Sequence, residues 1–197
     1  MNLANNLTKS RIGLSFLILI VLLFPWADAG ITFPSMVVSG KVIVNLKYII
    51  AGFLFVIASV TDYLDGAVAR RGKMTSDYGA TLDAIADKVL VNGVLVALAY
   101  LGFISIVIPI LIIIRDTMMD ALRIMAAKKG TIIKANVWGK LKTVCMLTGI
   151  SFLLFYNLPF EIWGIYVAEI LIYVATVLSI VSFVVYYLEW KRKVKIN

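Results

Sequence analysis

The sequence predicts an all-α fold: a polytopic membrane protein of six transmembrane helices with a short N-terminal interfacial helix. Three observations predict it. Of 197 residues, 62% are hydrophobic and only 15% charged, far from the balance of a soluble globule. The apolar residues gather into six runs, on the scale needed to cross about 30 Å of hydrocarbon. The nineteen Lys and Arg sit at the ends of those runs, giving a net charge of +8. Basic residues so placed orient spans and meet anionic lipid rather than forming a nucleic-acid surface. Length allows one domain, residues 1–197.

Residues 1–11, MNLANNLTKSR, are polar with interspersed Leu3 and Leu7 and predict the interfacial segment. Ile12 to Trp26 is the first span. Its basic start and the following Ala27-Asp28-Ala29 also fit a cleavable signal peptide. Residues 28–41 carry Gly30, Pro34, Ser35, Ser39 and Gly40 without sustained periodicity, which predicts a loop. The second span runs from Leu46 to Ala69, and the third from Gly79 to Leu101. Gly102 marks a tight turn. A fourth helix covers Phe103 to Ala127, apolar in its first half and carrying Arg115, Asp116, Asp120 and Arg123 in its second. After a basic linker, Gly139 opens a fifth helix that Pro159 closes. The sixth spans Trp163 to Leu188 and ends in the tail KRKVKIN. Trp163, Tyr166, Tyr186, Tyr187 and Trp190, near span ends, suit interfacial anchors.

Six spans put both termini on one side. Of the nineteen Lys and Arg, only Lys41 and Lys47 fall opposite the termini, so the positive-inside rule makes the terminal side cytoplasmic in a multi-pass cell-membrane protein. Cys145 lies in an apolar run, and as the one cysteine it forms no internal disulfide.

The window Asp62 to Asp87 holds five of the eleven acidic residues, which sets it apart from the rest of an apolar chain. Asp62 and Asp65 are three apart, Asp83 and Asp87 four apart, so each pair shares a helix face. The antiparallel second and third spans bring all four carboxylates to the cytoplasmic face. A carboxylate near hydrocarbon costs roughly 2.5–3.5 kcal/mol on insertion scales and needs a counter-charge. With no His and one Cys, the donor set suits a hard cation such as Mg2+, Mn2+ or Ca2+. Gly66 and Gly79 leave room for a phosphate or nucleotide to approach the backbone. Salt bridges to Arg70, Arg71, Lys73 and Lys88 are the structural alternative.

The string Asp62-x2-Asp65-Gly66-x2-Ala69-Arg70-x8-Gly79-x3-Asp83-x3-Asp87 resembles the signature of the CDP-alcohol phosphatidyltransferases, integral membrane enzymes of phospholipid synthesis. All eight fixed positions are present, a far more specific signal than a lone glycine loop. The resemblance implies that Asp62, Asp65, Asp83 and Asp87 hold Mg2+ or Mn2+, as two ions, and that Asp87 is also the general base. It implies that Gly66, Arg70, Ser76 and Gly79 contact the CDP moiety of CDP-diacylglycerol, joined by Asn5, Thr8 and Arg11 from an N-x-x-T-x-x-R segment. That segment argues against cleavage of the N-terminus. A homodimer within membrane lipid is implied as well.

Arg115 and Arg123 are two turns apart on one face, and Lys140 and Lys142 open the next helix. An Arg that far into an apolar helix needs an anionic partner. It is either Asp116, Asp120 or the Asp cluster, with the lysines snorkelling, or the phosphate of a second substrate. Gly139-Lys140-x-Lys142-Thr143 is similar to the branch of bacterial phosphatidylglycerophosphate synthases, whose acceptor is sn-glycerol 3-phosphate. Asp116 departs from the Glu expected in that branch, so inositol phosphate, phosphatidylglycerol and serine stay open as acceptors. Intramembrane Asp pairs also occur in cation transporters, but here they cluster at one face.

Overall fold

The computed structural model describes the backbone of residues 3–72, 77–129 and 137–196, and their side chains outside 3–7, 63–72, 77–80 and 194–196. Six long helices account for most of it: α1 (Leu3–Leu23), α2 (Leu46–Gly72), α3 (Asp77–Tyr100), α4 (Val107–Lys128), α5 (Val137–Leu154) and α6 (Val167–Ile196). Of these, α5 and α6 are long and apolar enough over a continuous window to cross a membrane. Helices α2, α3 and α4 lie within four residues of the predicted runs at each end, while α1 starts nine residues earlier and α6 ends eight later; two of the boundaries show a clear local signal. Asn45 Oδ1 accepts from the Lys47 amide at 2.9 Å and caps the start of α2. Gly102, with φ of 81°, closes α3 in the left-handed conformation, and the Phe103 amide turns back to the Leu98 carbonyl at 2.9 Å.

Two expectations are corrected. There is no separate interfacial helix among the described residues: α1 runs unbroken from Leu3 to Leu23. Not all of its polar residues are at a surface: Lys9 and Ser10 are exposed, but others turn inward. Thr8, Arg11, Ser15, Ile18 and Leu22 fall three and four apart and are all buried, so the polar start and the apolar end form one inward stripe. Ser15 also donates its hydroxyl to the Arg11 carbonyl at 2.9 Å. The second correction concerns the connection after α1, which was expected to be a loop. It contains an antiparallel hairpin of β1 (Ser35–Val38) and β2 (Val42–Asn45), with Val38 opposite Val42. Ser39 and Gly40, both at positive φ, make the turn between strands, and the Lys41 amide closes it on the Val38 carbonyl at 3.2 Å. The fold is therefore helical with one small β element.

The core is built where the helices present apolar residues, small and large in alternation, at helical spacing. Ala51, Phe55 and Ala58 of α2, Leu90, Val94 and Leu98 of α3, Met146, Ile150 and Leu154 of α5, and Ala168, Ile172 and Ala175 of α6 are all buried in one cluster. Dispersion between interlocked side chains holds such a bundle, and small residues let backbones approach. Gly149 shows this most clearly, since a Cβ there would lie 2.7 Å from Ile172 Cγ1 and 3.2 Å from the Ala168 carbonyl oxygen.

At the end of the bundle bearing the hairpin, Tyr48, Phe103 and Tyr156 pack edge to face with centroids 5.1–6.2 Å apart. The Tyr156 hydroxyl accepts from the Asn45 amide at 2.9 Å, and burial raises the pKa of its phenol above the ordinary value. Asn157 donates to the Ile165 carbonyl at 2.7 Å and accepts from the Ala168 amide at 3.1 Å. These contacts fix the turn from α5 to α6 and leave the opposite end, where α2 meets α3, to carry the charged residues.

Candidate active site

The buried stripe of α1 carries Arg11 to the ends of α2 and α3. Its guanidinium, only 1% exposed, forms ion pairs with Asp62 of α2 and with Asp83 Oδ1 of α3, the latter at 2.8 Å. Both carboxylates use the same nitrogen, Nη1. Asp62 is 35% and Asp83 51% exposed, so each has a screened side on Arg11 and an open side facing outward. The antiparallel helix pair thus brings two of the four predicted carboxylates to one cation, as expected. Arg11, expected at the nucleotide, holds these two acidic residues together.

Asp87 lies one helical turn beyond Asp83, about 6 Å along α3. It is within Coulombic reach of Asp62 and Asp83 on one side and of Asp116 and Lys142 on the other. It lines two adjoining cavities, of about 40 and 170 Å3, together with Lys88, Asp116, Lys142 and Thr143. The larger adds Arg115, Asp120, Arg123 and Gly139. Asp87 therefore belongs to both constellations that the sequence separates.

The geometry of the basic cavity follows from burial. Arg115 and Lys142 are each 12% exposed and need partners; both donate to Asp116 Oδ1, at 2.8 and 2.9 Å. Arg115 Nε also donates to the Ser179 carbonyl of α6 at 2.8 Å. Lys88 pairs with Asp120 across α3 and α4. Arg123 has no ion pair among the described residues. The lining holds four cations, Lys88, Arg115, Arg123 and Lys142, against three acids, Asp87, Asp116 and Asp120. One unpaired positive charge in a polar cavity suits an anion.

Arg115, Arg123 and Lys142 are brought together as predicted. Lys140 is exposed and is not among the lining residues, since a position two before Lys142 points to another face of α5. Thr8 is buried on the inward face of α1. Asn5, Asp65, Gly66, Arg70 and Gly79 lie on described helix backbone, but their side chains are outside the described residues; Ser76 is outside them altogether. Asp116 pairs with Arg115 as one of the alternatives weighed from the sequence, whereas the places of Asp116 and Lys88 in the cavity lining were not foreseen. Asp116 next to Arg115 was a visible signal, because a buried pair of opposite charges implies a third group to complete it.

Among the described residues no three candidate ligands form a metal-binding group. Two do converge: Asp62 and Asp83 aim oxygens at one cationic atom. Carboxylate oxygens arranged around a cation position are what a hard divalent ion takes, so the donor set fits such an ion.

Comparison with known proteins decides the family. The family model described as CDP-alcohol phosphatidyltransferase matches residues 1–186. The chain belongs to the CDP-alcohol phosphatidyltransferase family. Relatives named CDP-diacylglycerol–glycerol-3-phosphate 3-phosphatidyltransferase agree over most of their length. One from Mycoplasma genitalium is 35% identical across 98% of this chain and 85% of its own. Another from Bacillus subtilis is 33% identical across 92% and 91%. A third, from Haemophilus influenzae, is 38% identical across 79% and 85%. In this member of the CDP-alcohol phosphatidyltransferase family, Asp87 lines the basic cavity one helical turn from Asp83.

Proposed function

We propose that the protein transfers the phosphatidyl group of CDP-diacylglycerol to sn-glycerol 3-phosphate, giving phosphatidylglycerophosphate and CMP in phospholipid biosynthesis. The observation that carries the reading is the cavity in which Asp87 faces Arg115, Arg123 and Lys142. It puts a proton acceptor beside positive charge suited to a phosphate, and the near full-length relatives carry the same reaction in their names.

On this reading the primary hydroxyl oxygen of glycerol 3-phosphate attacks the phosphorus bearing diacylglycerol. The bond from that phosphorus to the bridging oxygen breaks, CMP leaves with the electron pair, and Asp87 takes the hydroxyl proton. A carboxylate is a weak base, so the proton leaves late, as the new P–O bond forms. Two Mg2+ or Mn2+ ions, held by Asp62, Asp65, Asp83 and Asp87, would neutralise the diphosphate and the leaving oxygen. Arg123 and Lys142 hold the acceptor's phosphate, and Asp116 keeps Lys142 and Arg115 in place. Gly66, Gly79, Arg70, Ser76, Asn5 and Thr8 line the path of the CDP moiety. An apolar groove of about 520 Å3 between α2 and α5, lined by Val56, Val60, Leu147 and Phe155, suits an acyl chain. Leu147 also lines the smaller cavity at Asp87, so one side chain borders both spaces.

The same reading takes all six helices as spans, with both termini and the acidic site in the cytoplasm and a homodimer as the working unit. It draws support from the gathering of Lys and Arg on the terminal side. The test is CMP release from CDP-diacylglycerol by purified protein with Mg2+ or Mn2+, with glycerol 3-phosphate, inositol phosphate, serine and phosphatidylglycerol supplied separately. Release that requires glycerol 3-phosphate and the metal is expected. Release with a different acceptor would overturn the assignment of the basic cavity.

A further inference from the structure

The cavity of about 170 Å3 at Asp87 contains one ion pair to which the proposed reaction gives no part. Lys88 of α3 pairs with Asp120 of α4, and both side chains line the cavity. They differ from the other charges there in exposure. Arg115 and Lys142 are each 12% exposed and Asp116 18%, bound to one another as a closed group, whereas Lys88 is 40% and Asp120 38% exposed. The pair therefore stands at the solvent edge of the cavity. Exposed pairs of this kind are worth about 0–1 kcal/mol, so little holds it closed.

While the pair is closed, the charge of the cavity does not match that of a phosphate. Four cations against three acids leave one net positive charge, and a phosphate monoester carries about 1.5–2 negative charges near neutral pH. Of the three acids, Asp87 is the assigned proton acceptor, and Asp116 is bound by both Arg115 and Lys142. Asp120 has one ion-pair partner among the described residues and an open side toward solvent. With its carboxylate turned outward, four cations face two acids, and a net charge of two meets the phosphate. Lys88 is then left with N–H donors to give, since an ammonium carries three and accepts none.

We propose that Lys88 is a third cation of the acceptor's phosphate site, beside Arg123 and Lys142, and that Asp120 holds it until the phosphate takes its place. One anion is exchanged for another on the Lys88 ammonium, and no covalent bond changes. The inference rests on the acceptor assignment made above, and its test separates the two.

Purified full-length protein in a neutral detergent, without divalent metal, is titrated calorimetrically with sn-glycerol 3-phosphate and separately with inorganic phosphate. Lys88→Gln is expected to weaken binding of both about tenfold, the worth of one charged hydrogen bond. Asp120→Asn, close in shape, removes the competitor and is expected to tighten both about two- to fivefold, the worth of an exposed pair. In turnover it lowers KM for glycerol 3-phosphate without raising kcat. In the Lys88→Gln background, Asp120→Asn has a much smaller effect on binding. The opposite signs of the two single changes set exchange apart from a merely structural pair, in which either change loses the same contact and shifts binding alike. Weaker or unchanged binding in Asp120→Asn, unchanged binding in Lys88→Gln, or no binding of either anion by the parent protein overturns the proposal. The expected pattern with inorganic phosphate, in a protein that releases no CMP with glycerol 3-phosphate and metal, upholds the exchange and overturns the acceptor assignment.

Discussion

Arg11 and Asp83, seventy-two residues apart in the chain, meet at 2.8 Å through one guanidinium nitrogen that also serves Asp62. This contact ties the N-terminal helix to the two helices that carry the acidic signature. The cation that holds these carboxylates together comes from the chain itself.

Replacing Arg11 with Gln removes that cation from a place where it is almost fully buried. Breaking a buried pair costs about 3–5 kcal/mol when both partners are enclosed. With Asp62 and Asp83 at 35% and 51% exposed, screening reduces this to about 1–2 kcal/mol. The variant should melt at a lower temperature in detergent, and added Mg2+ should restore more of the loss in the variant than in the parent protein. Equal melting of the two proteins without metal would show that the contact does not hold the helices.

Asp87 lines the basic cavity one helical turn from the paired Asp83, and the proposed reaction uses it as the proton acceptor. Asp87→Asn keeps the shape and removes the basicity, so kcat should fall about 10²–10⁴-fold with the melting temperature little changed. Near-normal turnover would remove Asp87 from the chemistry.

The basic cavity makes a different prediction for each cation. Lys142→Ala leaves Asp116 still paired with Arg115, and Arg123→Ala leaves no acid behind among the described residues. Either change should raise KM for the acceptor about tenfold or more, as expected for a lost charge-assisted bond, with a smaller effect on CDP-diacylglycerol. Lys140→Ala, outside the cavity lining, should change neither. Equal rises for both substrates would separate the cavity from acceptor binding.

The helices and the acidic window were legible because both are local: apolar runs set the helices, and Asp spacing sets the faces. What was misread depended on distant partners. Thr8, Arg11 and Ser15 look like the polar approach to a membrane until the acids that bury Arg11, fifty-one and seventy-two positions later, are in view. The hairpin had a local signal that the loop reading overlooked: Val37-Val38 and Val42-Ile43-Val44 are β-branched runs on either side of Ser39-Gly40-Lys41. Lys140 lies outside the cavity lining because residues two apart on a helix point to different faces, a geometric cue that a reading of lysines by cluster passes over.

The packing of α5 on α6 gives the last prediction. Gly149 stands where any Cβ would lie 2.7 Å from Ile172 Cγ1 and 3.2 Å from the Ala168 carbonyl oxygen, so a side chain must push the two helices apart. Overpacking of this kind costs about 1–3 kcal/mol, and Gly149→Ala should lower the melting temperature accordingly. Part of the clash is with a side chain and part with backbone. Ile172→Ala removes the first and not the second, so the double variant should be less destabilised than the two single changes summed, but not fully rescued. A purely additive result would show that α5 and α6 do not meet closely at these two residues.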